Sequence, residues 1–491
     1  MATHSRDTST SPIPLALFVL LLAAGGGLFI AQTGPGLSLG ASLLIVLLFL
    51  SFLHTELALH IILLSMLLSP EIVVGGFAGV SIGKPDVKGD VLVVRIEDLI
   101  LTTVCLAWLA RAAIFKDVGL VRKTPLNGPI VAYTVTLVVA TLLGTFAGNV
   151  RPLRGFFFTL KYVEYFVVYF MAVNYIQDER QLRRLLGTAV ATCAISAVMG
   201  IAQIPSGERV AAPFEGKYGE PNTFGGYLAF MLAVILGLAL AAKTVPARLR
   251  WFALAALTVV PLLYTLSRTS WLATIPLLLT LILLSPRRLI LMVGVGCVII
   301  LGSAVFPKQV LDRYDYTFHA PEARGDFSVG GARFDTSTSA RVESWGYGMR
   351  GWVKRPLLGY GVTGFAFMDA QYVRVLTEAG LFGLAAFLWL LWRILRTAWN
   401  TYQRTVGTPF EGLALGYIAG FMAMITHCVG ANTFIIVRIM EPFWFLTGIV
   451  TILPLLDPVG AVSLAERRRH AVPGLAARGQ ADARSGGHSP A

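Results

Sequence analysis

Apolar runs about as long as a bilayer core is thick recur along most of this chain, with short polar segments between them. A helix needs roughly 20 residues to cross about 30 Å of hydrocarbon, where every backbone N–H and C=O must be satisfied within the protein. Of the 491 residues 56% are hydrophobic and only 14% charged, and the mean hydropathy is +0.71. Soluble domains carry about 25% charged residues, so an ordinary water-soluble enzyme is excluded. The pattern predicts an all-α polytopic membrane protein with about 14 transmembrane helices.

The first expected span is Pro14–Ala31, and no small-residue cleavage site follows it, so it is read as retained. Lysine and arginine in short loops set the orientation. With the N-terminus inside, the inner segments hold Arg111, Lys116, Arg122 and Lys123, then Arg180, Arg183 and Arg184, and later Arg393, Arg396 and Arg404. An even number of spans returns the tail to the same side, in agreement with Arg467, Arg468 and Arg469. The expected division is a cytoplasmic N-terminus over 1–13, eleven spans over 14–306 and a long outer loop over 307–371. Three further spans occupy 372–455, and a mostly disordered cytoplasmic tail covers 456–491.

The net charge of +13 forms no continuous basic stripe, so nucleic acid is not an expected partner; the lipid bilayer is. The inner loops hold only about half of the basic residues. The excess gathers at outer span ends, at Arg151, Arg154, Arg209 and Arg268, and in the long loop at Arg324, Arg333, Arg341, Arg350 and Arg355. Guanidinium groups at headgroup depth suit a ligand whose phosphates lie at the membrane surface. Within the loop, Val342, Trp345, Met349 and Trp352 recur at helical spacing, so part of it is expected to be an amphipathic helix, ended by Pro356, Gly359 and Gly361. Two pairs inside spans, Lys161 with Glu164 and Arg438 with Glu441, are spaced i, i+3 and are expected to hold helices together.

Nucleotide-cradling glycine loops and the zinc-protease motif are absent, the four cysteines all fall in apolar runs, and the seven histidines are dispersed. No metal and no cofactor is expected. His319 alone among the histidines lies in the long outer loop.

Several stretches belong together: Arg209 with Pro213-Phe214, Pro221-Asn222 and Gly225-Gly226-Tyr227; Leu266-Ser267-Arg268-Thr269; Ser339-Ala340-Arg341; Arg355-Pro356-Leu357-Leu358-Gly359-Tyr360-Gly361; and Asp369-Ala370-Gln371-Tyr372 with Glu378-Ala379-Gly380. In this order they resemble the bacterial O-antigen ligase and O-antigen polymerase superfamily. The resemblance implies a GT-C-like, metal-independent glycosyltransferase of the inner membrane, with its active site facing the periplasm. Its donor would be an undecaprenyl-diphosphate-linked glycan, and its acceptor a second glycan or the lipid A core. By motif, Arg209 and Arg268 take the diphosphate-binding role, with Arg341, Tyr372 and Glu378 as secondary substrate contacts. Where the family carries a histidine base this chain has Asp369, a departure that favours polymerisation of O-antigen or exopolysaccharide repeat units over ligation. His319 is the alternative base. A flippase and a chain-length regulator would then be working partners.

The chemistry stands beside the resemblance. A diphosphate leaving group gathers negative charge as the glycosidic bond breaks, and pre-positioned guanidiniums stabilise that charge more in the transition state than before it. A carboxylate accepting the acceptor hydroxyl's proton contributes about 10² to 10⁴ in rate, and one direct displacement inverts the anomeric centre. The competing reading from another class is a lipid-glycan flippase or transporter. Matching halves with Gly/Pro-interrupted helices would mark such a protein, and the sequence shows none. A peptidoglycan polymerase of the shape, elongation and division family has fewer matching motifs.

Overall fold

The computed structural model describes residues 35–69, 71–72, 94–115, 122–214, 219–319, 328–329, 332–333 and 336–456. The first expected span and the C-terminal tail lie outside them. The described chain is helical apart from two pairs of two-residue antiparallel strands, Glu71–Ile72 with Val94–Arg95 and Ser328–Val329 with Ala332–Arg333. In order the helices are α1 (Pro35–Leu53), α2 (Thr55–Leu68), α3 (Ile96–Phe115), α4 (Asn127–Phe146), α5 (Pro152–Tyr175), α6 (Glu179–Gln203), α7 (Pro221–Ala241) and α8 (Val245–Tyr264). There follow α9 (Arg268–Leu284), α10 (Arg288–Val305), α11 (Lys308–His319), α12 (Thr336–Lys354), α13 (Gln371–Thr405), α14 (Glu411–His427) and α15 (Val437–Leu456). Seven of these, α4 to α8, α13 and α15, are long and apolar enough to cross a membrane.

Local chemistry sets the helix starts. Asp178 caps α6 by accepting from the Gln181 N–H at 2.7 Å, and Ser267 caps α9 by accepting from the Ser270 N–H at 3.3 Å. Proline occupies the first turn of α5 and α7, where its missing N–H costs nothing.

The centre of the bundle is α7, buried on almost every side. It crosses α14 at very close range because both helices are stripped of side chains at the contact. A Cβ on Gly416 would lie 2.7 Å from the Ala233 carbonyl oxygen, and one on Gly420 would lie 2.7 Å from the Phe230 ring. Small residues allow this approach where no hydrophobic effect drives helices together in lipid. The outer helices expose large apolar side chains instead, such as Leu272, Ile275, Leu279 and Leu283 on α9, as a lipid-facing surface requires.

The charges inside the spans do hold helices together, with partners from other helices. Lys161 Nζ of α5 reaches Asp98 of α3 at 3.5 Å. Arg438 of α15, fully buried, lies 3.9 Å from Glu97 of α3 and donates to the carbonyls of Ser69 and Pro213 at 3.1 and 3.0 Å. Burying these charges is tolerated because each finds a counter-charge or a carbonyl across the bundle.

The expected amphipathic helix of the outer loop is present as α12. Its inward residues are Gly348 and Gly351, packed on Met368 and Phe365, while Met349 of the expected stripe is 41% exposed. After it, residues 355–364 cross α13 where that helix breaks. Gly380 has φ 65° and ψ −162°, a conformation open essentially to glycine alone. The break frees two carbonyls and two N–H groups, and the crossing segment takes all four. Tyr360 and Gly361 donate to the Thr377 and Glu378 carbonyls at 2.9 and 2.8 Å, while Leu381 and Phe382 donate to the Pro356 and Leu357 carbonyls at 2.8 and 3.2 Å. The motifs Arg355 to Gly361 and Glu378-Ala379-Gly380 are therefore two halves of one joint.

Gly380→Ala places a methyl against the Leu357 carbonyl and forces a forbidden backbone region, at a cost above about 1–3 kcal/mol. Gly187→Ala, whose Cβ meets nothing within 4 Å among the described residues, gains up to about 1 kcal/mol of helix propensity. Thermal unfolding of the detergent-purified proteins should show a marked fall in Tm for the first and no fall for the second.

Candidate functional site

The helix ends that carry the expected site residues meet at one end of the bundle. The segment after α6 is a strap. Its Ala211 exchanges two hydrogen bonds with the Gln203 side chain, at 3.0 and 3.1 Å, and Val210 N–H donates to the Tyr264 carbonyl at 3.0 Å. Arg438 fastens the strap from below through Pro213. Arg209 is thereby laid across the turn between α8 and α9, donating to the carbonyls of Thr265 at 2.9 Å and Leu266 at 3.4 Å. That turn is held open by Leu266 in the left-handed region, with φ 49°, a conformation costing a non-glycine residue about 1–2 kcal/mol.

Arg268 is the first residue of α9, so its guanidinium and the positive helix N-terminus lie together. Arg341 of α12 and Arg313 of α11 complete a group of four. As a whole the Arg209 side chain is exposed, yet its guanidinium is partly desolvated against the turn. This desolvation, with the like charges of Arg313, Arg268 and Arg341, lowers its pKa from the ordinary arginine range to about 10. It therefore remains charged at neutral pH, and an anion among the four groups would relieve their repulsion.

The turn after α14 links this cluster to Asp369. His427, fully buried, contacts Ser270 Oγ through Nε2 at 3.2 Å and Thr433 Oγ1 through Nδ1 at 2.8 Å. Gly430 packs on Thr269. On the other side of the same turn, Asn432 donates to the Met368 carbonyl at 2.5 Å, Gln371 N–H donates to the Cys428 carbonyl at 3.0 Å, and Phe434 N–H donates to Gln371 Oε1 at 2.9 Å. Asp369 is half-buried between these anchors, and Ala370 is the N-cap of α13, so the carboxylate does not occupy the capping position.

The secondary residues fall in two places. Tyr372 donates its hydroxyl to the Ile425 carbonyl at 2.9 Å, which ties α13 to α14. Glu378 lies further along α13, where its Oε1 accepts from Arg374 Nε at 3.2 Å and from Thr363 N–H at 3.0 Å. His319 is the last residue of α11. Sequence reasoning did not single out Arg313, His427 or Arg374. Arg313 was one of many loop arginines, His427 sits within an apolar run, and the spacing of Arg374 and Glu378 at i, i+4 was the one available signal. Among the described residues no group of histidine, cysteine, aspartate or glutamate is arranged to hold a metal ion.

A family model described as O-antigen ligase matches residues 253–388. The match takes in Arg268, Arg341, Asp369, Tyr372 and Glu378 and stops short of Arg209. It supports the resemblance to the O-antigen ligase and polymerase superfamily. With the membrane-crossing helices, it supports a multi-pass membrane enzyme of the glycan-transferring, ligase or polymerase kind. No curated protein matches the chain.

Pyrophosphate, as a headgroup mimic, should raise the Tm of the purified protein. The shift should shrink in high salt and be largely lost in Arg209→Gln and Arg268→Gln. Because Arg209 is charged only below its lowered pKa, the shift should hold through neutral pH and decline as pH rises toward about 10. Full retention of the shift by both variants would place the anion site elsewhere.

Proposed function

We propose that this chain transfers glycan on the periplasmic side of the bacterial inner membrane, from an undecaprenyl-diphosphate-linked donor, and that it polymerises repeat units. One observation supports the proposal: Arg209, anchored on the turn before α9, has the like charges of Arg313, Arg268 and Arg341 around it, and the His427–Thr433 turn contacts both the start of α9 and the segment that carries Asp369. The guanidiniums would hold the diphosphate oxygens and stabilise the charge that develops on the bridging oxygen. Asp369 would accept the proton of the attacking hydroxyl as the new glycosidic bond forms and the lipid diphosphate leaves, inverting the anomeric centre. Diphosphate is a good leaving group and needs little help from an acid.

The description of the matching family model favours a second reading, ligation to the lipid A core or another acceptor. Asp369 in place of the family's histidine favours polymerisation. The two differ in what the enzyme must be given. A polymerase lengthens lipid-linked units supplied alone, whereas a ligase makes no product until a distinct acceptor is added.

Reconstitution of the full chain in proteoliposomes with undecaprenyl-diphosphate-linked repeat units from producing cells tests the proposal. Wild type should yield a ladder of longer glycans. Arg268→Ala and Asp369→Asn should insert and keep their Tm, while turnover drops by about 10² to 10⁴ for the aspartate variant. Undiminished turnover in Asp369→Asn would transfer the base role to His319, and translocation of units without any change in glycan length would leave the flippase reading in place.

A further inference from the structure

A cleft of about 540 Å³, its open mouth included, opens near the start of α13, and none of the four clustered arginines lines it. It is lined by Arg154 and Phe158 from the start of α5, by Thr363, Phe365 and Phe367 from the segment before α13, and by Arg374 and Glu378 of α13. We propose that this cleft binds the acceptor saccharide, holding a neutral polyhydroxy ring with its hydroxyls on Glu378 and its C–H face on the phenyl wall. The proposal rests on the transfer reading above and names the second substrate's place within it.

The polar atoms carry the first part of the argument. Glu378 is only 4% exposed, and while its Oε1 accepts two hydrogen bonds, its Oε2 has no partner among the described residues. Thr363 Oγ1, on the same cleft, is likewise buried without a partner. Buried polar atoms are nearly always satisfied, and one that is not calls for an explanation. Thr363 is also held at φ 64°, a left-handed conformation that is rare for a β-branched residue. Its N–H is spent on fixing Glu378 Oε1, which leaves Oε2 as the atom without a partner. Backbone outliers of this kind cluster where a site is pre-organised.

Charge then decides the class of ligand. A free anion would meet the carboxylate of Glu378, and a free cation would meet Arg154 and Arg374. A neutral ring rich in hydroxyls satisfies both, since it donates to carboxylate oxygens and accepts from guanidinium N–H groups. The wall is apolar in the right way. Phe365 is fixed against Gly351 and between the rings of Tyr347 and Tyr360, at 5.2 and 5.0 Å. Phe367 is 60% exposed, with the Arg374 guanidinium 5.5 Å from its centroid. Sites for small ligands commonly join such apolar walls to a few convergent polar groups. Phe367 is two residues from Asp369 in the chain, which would bring a sugar seated here near the proposed base.

The test uses the purified full chain and two probes: the repeat-unit oligosaccharide released from its lipid by mild acid, and pyrophosphate. Saturation-transfer NMR should show the oligosaccharide bound to wild type, and its affinity should fall about tenfold in Phe367→Ala, an exposed position whose loss leaves packing intact. Thr363→Ala should weaken it in the same direction. The pyrophosphate-induced Tm shift should be unchanged in both. In the transfer assay Phe367→Ala should raise KM for the acceptor and leave KM for the donor alone. Absence of oligosaccharide binding to wild type, or equal binding by wild type and Phe367→Ala, overturns the cleft even if Arg268-dependent transfer is present. Saccharide binding that depends on Phe367 in a protein that transfers nothing would uphold the cleft and remove the transfer reading instead.

Discussion

The exchange of four backbone hydrogen bonds at Gly380 is the interaction on which the rest of the candidate site depends. A helix interrupted within lipid exposes carbonyls and N–H groups that no water can satisfy, each at a cost of several kcal/mol. Here the segment from Pro356 to Gly361 supplies each missing partner, and glycine is required on both sides of the joint. A Cβ on Gly359 would run into the backbone of Thr377 and Glu378, as one on Gly380 would into that of Leu357 and Leu358. Because the joint is rigid, Thr363, Phe365 and Phe367 follow at set positions, Glu378 turns its carboxylate toward Thr363, and Asp369 arrives at the start of α13.

A second constraint works from the centre outward. The glycine-lined crossing of α7 and α14 sets where α14 ends, and the turn that follows touches α9 through His427 and Gly430 and the start of α13 through Cys428 and Asn432. One short turn therefore registers the arginine-bearing helix start against the aspartate-bearing one. The strap carrying Arg209 is registered to the same frame by Gln203 and by the buried Arg438. Like charges around Arg209 lower its pKa, and in the proposed function a bound diphosphate would offset that repulsion and stabilise the leaving group.

The proposed function would divide recognition in two: the guanidinium groups near the N-terminus of α9 would take phosphate, and the cleft with its carboxylate oxygen, hydroxyl and phenyl rings would take sugar.

Much of this was legible without coordinates. Apolar run length alone established a membrane-embedded helical chain, since lipid leaves few other ways to satisfy a backbone. The surplus of arginine at the expected outer span ends suggested an anionic ligand, which is part of the proposed function. The motifs around Arg268, Gly359 and Gly380 could be located through the resemblance to the O-antigen ligase and polymerase superfamily. What the linear order could not convey was pairing across helices. Lys161 and Arg438 have near neighbours of opposite charge in sequence, yet they reach Asp98 and Glu97 on another helix, because buried charges seek partners by distance in space. Arg313 and His427 gained significance only when folding brought them beside Arg209 and Ser270. Composition determined the solvent this protein folds in and the kind of groups it presents outside; helix packing decided which of those groups share a site, since convergence is a property of three-dimensional contact that residue spacing does not encode.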